Sequence, residues 1–256
     1  MTHPRSATSA LVRLGTAPAY AARLASRRAD VHAAQALRFA VFNLELDEGL
    51  AHSYDTGLDA DPFDEVCDHL IVEDTRIGSV VGTYRLQTGV RARTALGYYS
   101  EREFDFAPFE AARGDILELG RACIAAGHRN FAVLNLLWKG IAAYAHEHGA
   151  RYLIGCSSFT TQDAAVGAAA YRQLQPHLAP PAWQTRPTPA FACPLNALAT
   201  PAPRIPKLLS AYLALGAAVC GPPALDREFK TVDFLTWVDL QAPALAGMQR
   251  RGRFIG

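Results

Sequence analysis

Hydrophobic and polar positions along this chain change period several times, and each change predicts an element. From Ala19 to Leu46, residues Leu24, Val31, Leu37, Val41 and Phe42 recur at helical spacing, which predicts one long helix with Arg38 and Phe42 on a shared face. Asp47–Asp61 has no apolar period. Gly49 and Gly57 interrupt it, acids and small residues dominate, and it reads as a loop of the length that often covers a substrate. Asp61-Pro62 opens a short helical turn, with Asp as cap and Pro at the first position. Asp64 and Asp68, four apart, would then face the same way. Next come His69–Glu73 and Ser79–Gln87, two strands of a hairpin joined through Gly78. Arg85 lies inside the second strand, where a charge needs a partner, and Glu118 and Asp68 are the candidates. Gly89–Ala112 is aromatic and reads either as a packed loop or as one wall of an apolar tunnel.

The rest of the chain is arranged around Leu117–Cys123. Ile116, Leu117, Leu119, Ala122, Cys123 and Ile124 form a buried strand that carries Glu118 and Arg121 through apolar surroundings. Strand alternation would send those two side chains to opposite faces. Gly120 between them suggests a bulge, which would return both to one face and release a backbone N–H. An acid, a guanidinium and a free N–H are the parts of an acyl-transfer site. The pair reads equally as a structural ion pair on a strand. Ala125–Asn130 is a turn, with Asn130 as cap of a helix over 131–148. The positive end of that helix, with His128 and Arg129, suits a phosphate such as that of a pantetheine arm. Tyr152–Ser157 is a further strand, followed by a helix over 161–174. Ser157 and Ser158 lack a G-x-S-x-G elbow and read as turn and capping residues. Residues 176–206 hold nine of the sixteen prolines and read as an irregular insertion. A helix over 205–215 and strands at 217–220 and 231–240 complete the pattern.

Half of the 256 residues are hydrophobic, so the chain can bury a large core in one domain, expected over 18–245. Residues 1–17 are expected to be a flexible lead and 246–256 a basic tail. The net charge of +1 argues against a nucleic-acid binder. No acid precedes Asp30 whereas Arg5, Arg13, Arg23, Arg27 and Arg28 do, which reads as a solvated tail or as a surface leaning on anionic lipid. The five cysteines show no paired spacing, so reduced core thiols of a cytoplasmic protein are expected, with no disulfide and no metal site. Neither a secretory leader nor a run of eighteen apolar residues is evident.

The order helix, hairpin, strand, helix, strand, helix, strand resembles the Gcn5-related N-acyltransferase fold, an α+β mixed sheet flanked by helices. Within it, Asp64–Leu70 (DEVCDHL), Val81–Leu86 (VGTYRL), Tyr99-Ser100 with Glu103-Phe104, Glu118–Arg121 (ELGR), Leu137–Ile141 (LWKGI) and Gly155–Phe159 (GCSSF) resemble the L-ornithine N-α-acyltransferases, bacterial enzymes that begin ornithine-lipid synthesis. The likeness covers roughly residues 30–240. A looser one, carried by Arg38, Phe42, Asp64, Asp68, Arg85, Glu118 and Arg121, reaches the acyl-homoserine-lactone synthases.

The resemblance implies transfer of a (3-hydroxy)acyl group from an acyl carrier protein thioester to the α-amine of L-ornithine, giving lyso-ornithine lipid. It implies no cofactor, and a peripheral contact with the inner membrane. Glu118 would be the base or its organiser, and Arg121 would orient it or bind the substrate carboxylate. Asp64 and Asp68 would hold ammonium groups, with Arg38 and Arg85 pairing these acids. Backbone N–H groups near Ala122 and Cys123 would meet the oxyanion. The glycines of coenzyme A-dependent relatives are absent from 125–131, which agrees with a carrier-protein donor. The alternatives are acylation of another amine, a homoserine-lactone synthase, from which the long C-terminal extension departs, and a non-catalytic acyl- or lipid-binding relative.

Overall fold

The computed structural model describes residues 19–196, 199 and 201–242. The expected flexible lead, Arg5 and Arg13, and the basic tail 246–256 lie outside them. Among the described residues, eight strands form one mixed sheet with helices on its faces, the expected α+β architecture. In chain order the elements are β1 (Tyr20–Leu24), α1 (Arg28–Phe39), α2 (Ser53–Thr56), β2 (Asp68–Asp74), β3 (Ser79–Thr88), α3 (Gly89–Thr94), β4 (Ile116–Ile124), α4 (Phe131–Glu147), β5 (Tyr152–Phe159), α5 (Ala164–Leu174), α6 (Lys207–Ala214), β6 (Ala218–Val219), β7 (Ala224–Asp226) and β8 (Thr231–Asp239). The strand order is β1-β2-β3-β4-β5-β8-β6, with β7 also on β8, and among these strands only the β4–β5 pair is parallel.

The long helix expected over Ala19–Leu46 is a strand followed by a helix. Tyr20–Leu24 pairs antiparallel with β2, and Arg23 bridges Glu73 and Asp30. Asp30 then starts α1 by accepting from the backbone N–H groups of Ser26 and Arg27 at 3.0 and 3.2 Å. Edge pairing and this acid at the first turn override the apolar spacing across 24–31. After α1 the backbone widens to a π-helix over Ala40–Glu45, closed by Leu46 N donating to Val41 O. That extra residue turns Val41 and Phe42 inward, against Phe229.

The hairpin and the helix after the turn fold as read. Asn130 Oδ1 accepts from Val133 N at 3.1 Å and caps α4, whose buried stripe Val133, Leu137, Ile141 and Tyr144 packs on Leu70, Val72, Tyr84 and Leu117. The opposite face of the sheet is covered by the aromatic segment: Tyr98, Phe104, Phe106 and Phe109 form a second core with Ile116, Ile154 and Trp237. Segment 176–196 holds only one-turn 3₁₀ pieces and stacks Trp183 on Trp237. Residue 68 opens β2 rather than continuing a helical turn, so Asp64 and Asp68 do not share a face.

The parallel pair is short. Residues 116–118 of β4 meet 152–154 of β5, and no further pair forms. Gly155 sits at this fork, where a Cβ would lie 2.2 Å from the Leu119 carbonyl oxygen. Gly155→Ala is expected to force the strands apart there and to cost about 2 kcal/mol, read as a lower urea midpoint.

Candidate active site

The bulge expected at Gly120 lies one residue later in the register of β4. Arg85 opposes Gly120 and Thr83 opposes Cys123, so Tyr84 faces both Arg121 and Ala122. Arg121 itself takes the left-handed conformation, φ +53°, at a cost of about 1 kcal/mol for a side chain of this kind. Its guanidinium is fixed from several directions. Nη2 lies 2.9 Å from Asp61 Oδ2 and Nε 3.3 Å from Asp59 Oδ2, while the ring centroids of Tyr99 and Phe229 lie 4.9 and 4.4 Å from Cζ. The extra residue brings Glu118 and Arg121 to the same cavity.

Glu118 is 4 % exposed and its carboxylate is filled by the aromatic segment. Tyr99 N donates to Oε2 at 2.8 Å, Ser100 N to Oε1 at 2.8 Å, and Ser100 Oγ to Oε1 at 2.5 Å. Burial pushes its pKa up, and these three donors hold part of that shift back.

Arg85 does not pair with Glu118 or Asp68 as expected. Its Nη1 lies 2.6 Å from Asp61 and 3.3 Å from Asp64. Arg38 in turn binds Asp59 and Asp64, each at 2.7 Å. Arg38, Arg85 and Arg121 thus close a buried ring with Asp59, Asp61 and Asp64, three charges of each sign. Burial alone would raise the Asp64 carboxyl, but the Arg38 and Arg85 guanidiniums hold it well below the usual range. The ring clamps the end of the 47–61 loop onto α1, β3 and β4. Asp68 stands apart, with Tyr144 Oη donating to it at 2.6 Å and Arg91 at 3.0 Å.

Where β4 and β5 part, a cavity of about 510 Å³ passes between them. It spans both faces of the sheet. On the α4 side Leu134, Trp138, Leu153, Tyr212 and Val238 make an apolar wall, all from the core that α4 covers. On the other side lie Tyr99, Ser100, Glu118 and Arg121 with four more acids, Glu48, Glu103, Asp226 and Asp233. Ala122 and Cys123 line the cavity along the unpaired edge of β4. Arg129 lines it too, its two terminal nitrogens held by Glu45 at 2.5 and 2.7 Å. His128 is not in the lining; its ring meets Tyr20 Oη at 3.1 Å. The thiols that face the cavity are not nucleophiles at neutral pH, because burial pushes both Cys67 and Cys123 up to about 12, and Cys156 is raised as well.

Of the four additional acids, Glu103 entered the sequence reading only as part of the family likeness, and Glu48, Asp226 and Asp233 escaped it because they come from separate segments. Burial pushes Glu48 up to about 7 and Asp233 to about 6; Glu103 is raised by burial and then by the Asp233 and Asp226 carboxylates. Glu48 and Asp233 therefore keep protons in the folded protein that the unfolded chain releases from about pH 4, and stability falls as pH rises from there to about 7. The melting temperature of the ligand-free protein is expected to drop by more than about 10 °C across that window from these groups. Calorimetry from about pH 4 to 8 checks this against a Glu48→Gln, Asp233→Asn protein, in which the drop should shrink.

Residues 37–139 match a family model described as acetyltransferase (GNAT) domain. Among solved structures, the chain is similar to FeeM, an N-acyl amino acid synthase from uncultured soil microbes, with a TM-score of 0.54 at 14 % identity over 88 % of this chain and 93 % of that one. It is also similar to the AHL synthase LasI, with a TM-score of 0.51 at 13 % identity over 93 % and 98 %. At these identities the likeness concerns the fold. In sequence, the chain is 34 % identical over 241 residues to an L-ornithine N(alpha)-acyltransferase of Brucella abortus, covering 86 % of this chain and 84 % of the relative. A protein of the same name from Rhodobacter capsulatus is 34 % identical over 235 residues, covering 87 % and 91 %. One from Agrobacterium fabrum is 35 % identical over 244 residues, covering 88 % and 82 %. With a third of its residues shared along nearly the whole length of each, the chain belongs to the L-ornithine N(alpha)-acyltransferase family.

Proposed function

We propose that this protein transfers an acyl group from an acyl carrier protein thioester to the α-amine of L-ornithine, giving lyso-ornithine lipid. The relatives' names supply the acceptor. The observation that carries the reading is the cavity through the β4–β5 fork, apolar on one face of the sheet and acidic on the other. Such a passage suits an acyl chain on the α4 side meeting a charged amino acid on the other.

The thioester carbonyl lies at the bulge, with N–H groups near Ala122 and Cys123 as donors to the developing oxyanion. The neutral amine nitrogen attacks the carbonyl carbon, the C–S bond breaks, and the carrier sulfur leaves as the thiol, taking up the proton that the nitrogen gives away. The attacking nitrogen loses its proton to Ser100 Oγ, whose own proton passes to Glu118 along the 2.5 Å hydrogen bond. A filled carboxylate can serve as base this way, and its raised pKa fits a terminal proton acceptor. Arg121, anchored by Asp59, Asp61 and the Tyr99 hydroxyl, presents its guanidinium in the cavity wall to the substrate carboxylate. With the cavity thiols protonated, direct attack requires no acyl-enzyme. Asp64 is occupied by two guanidiniums and Asp68 lies elsewhere, so the acceptor's ammonium groups need other partners. A 3-hydroxyacyl chain is the expected donor. Among the described residues no helix is long and apolar enough to cross a membrane, and delivery of the lipid product calls for a peripheral contact with the membrane.

Purified protein incubated with L-ornithine and 3-hydroxyacyl carrier protein is expected to form acylornithine and free carrier thiol in equal amounts. Product with other amines but not ornithine, or binding without turnover, would refute this assignment.

A further inference from the structure

Three carboxylates from distant parts of the chain, Glu103, Asp226 and Asp233, meet on the acidic side of the cavity with ligand oxygens within 4.8 Å of one another. Each is at least nine-tenths buried. None of them forms an ion pair among the described residues; the Arg121 guanidinium, which acts on Glu103, is already bound to Asp59 and Asp61. Asp226 is partly used, its Oδ1 accepting from the N–H groups of Glu228 and Phe229 at 2.8 and 2.9 Å. Asp233 Oδ2 accepts from Thr231 at 2.9 Å. Asp233 is also hydrogen-bonded by Ser158 and, through a proton held on Glu103, by Glu103. Glu103 Oε2 and Asp233 Oδ1 have no N–H or hydroxyl donor among the described residues. A separate element adds the same feature. Glu48, from the loop after α1, is 6 % exposed, lines the same cavity, feels the Asp233 charge and is hydrogen-bonded by Thr160, and its Oε2 has no donor among the described residues.

Gathering four acids without a cation is costly unless a ligand supplies the charge. A primary ammonium presents three N–H donors and no acceptor. Glu48, Glu103 and Asp233 line the cavity, and each keeps one buried carboxylate oxygen without an N–H or hydroxyl donor among the described residues. N–H donors and a positive charge are what these oxygens lack.

We propose that Glu48, Glu103, Asp226 and Asp233 bind the second, non-reacting ammonium of a diamino-acid acceptor, and so set the enzyme's preference for ornithine over amino acids with an uncharged side chain. The inference rests on the proposed amide-forming reaction and adds to it the residues that choose the acceptor. An acceptor lacking the distal amine leaves the carboxylates unpaired in a closed site, a penalty far larger than that for a missing methylene.

The test compares L-ornithine with L-norvaline, which has the same carbon chain and no distal amine, using 3-hydroxyacyl carrier protein as donor. The wild-type kcat/KM is expected to favour ornithine by roughly 1000-fold. In Glu103→Gln and in Asp233→Asn the ratio is expected to fall about 100-fold. Both variants remove like-charge repulsion, so they are expected to melt at or above the wild-type temperature, which separates lost recognition from lost folding. An unchanged ornithine-to-norvaline ratio in both folded variants overturns the proposal. If the wild-type protein acylates neither amine, the reaction assignment fails, and calorimetric binding of the two amino acids decides the pocket alone. Ornithine binding about 100-fold tighter than norvaline, and lost in the variants, supports it; equal binding overturns it. A melting shift with Mg²⁺ or Ca²⁺ but none with ornithine also overturns it, in favour of a metal site.

Discussion

Glu118→Gln is expected to lower kcat by about 1000-fold while KM for ornithine changes less than about threefold. The amide cannot take the proton that Ser100 passes on, so the step that frees the attacking nitrogen is lost. Its NH₂ group also meets a backbone N–H head on, because both carboxylate oxygens now accept from Tyr99 N or Ser100 N. That clash costs about 1–3 kcal/mol of stability, too little to unfold a domain of this size. Ser100→Ala removes the relay without touching the carboxylate. Its kcat should fall nearly as far, and the double variant should lose little more than either single one, since both act in one proton path. Rates measured with saturating acyl carrier protein thioester check this. A Glu118→Gln protein that keeps wild-type kcat takes Glu118 out of the proton path.

What was legible in the sequence follows from how local each feature is. The Asn130 cap, the Gly78 hairpin and the buried run at 116–124 are local, and all three fold as read. β1 was read as helix because 24–31 carries an apolar spacing that fits a helix; its pairing with β2 lies about fifty residues away in sequence. The bulge was legible as a consequence of placing an acid and a guanidinium in one strand, but glycine drew it to the wrong residue. Gly120 keeps an ordinary backbone while Arg121 takes the left-handed one, because the ion pairs and two aromatic rings that hold its side chain outweigh the strain. Arg38, Arg85 and Arg121 stood out as charges among apolar neighbours; Asp59 and Asp61, in a loop rich in acids, did not. Asp233 offered a signal that was not used. It sits in Thr231–Asp239 with apolar residues at both alternations, so neither face of that strand was solvated and its carboxylate had to be buried.

Arg38→Met is expected to cost about 3–5 kcal/mol of stability and to lower the melting temperature by roughly 10 °C. Methionine keeps much of the stem volume, so the loss reports charge rather than a cavity. Asp59 and Asp64 would each lose a 2.7 Å partner inside a site where water cannot replace it. The control is Arg151→Met, which breaks a 2.9 Å pair with Asp239 on the surface and should change stability by less than about 1 kcal/mol. Acidity supplies a second readout. In the wild type Asp64 is held below its usual range, so its contribution is present above about pH 4 and is lost as the pH falls. Without Arg38 that acid-side loss should shrink, leaving urea midpoints of the two proteins closer at low pH than at neutral pH. The same variant bears on catalysis, because Asp59 would be freed from Arg38 and its grip on Arg121 would change. Arg121 occupies a conformation it holds only while its guanidinium is clamped, so relaxing the ring would let the bulge slip and carry Arg121 and the edge at Ala122 away from the position the substrate needs.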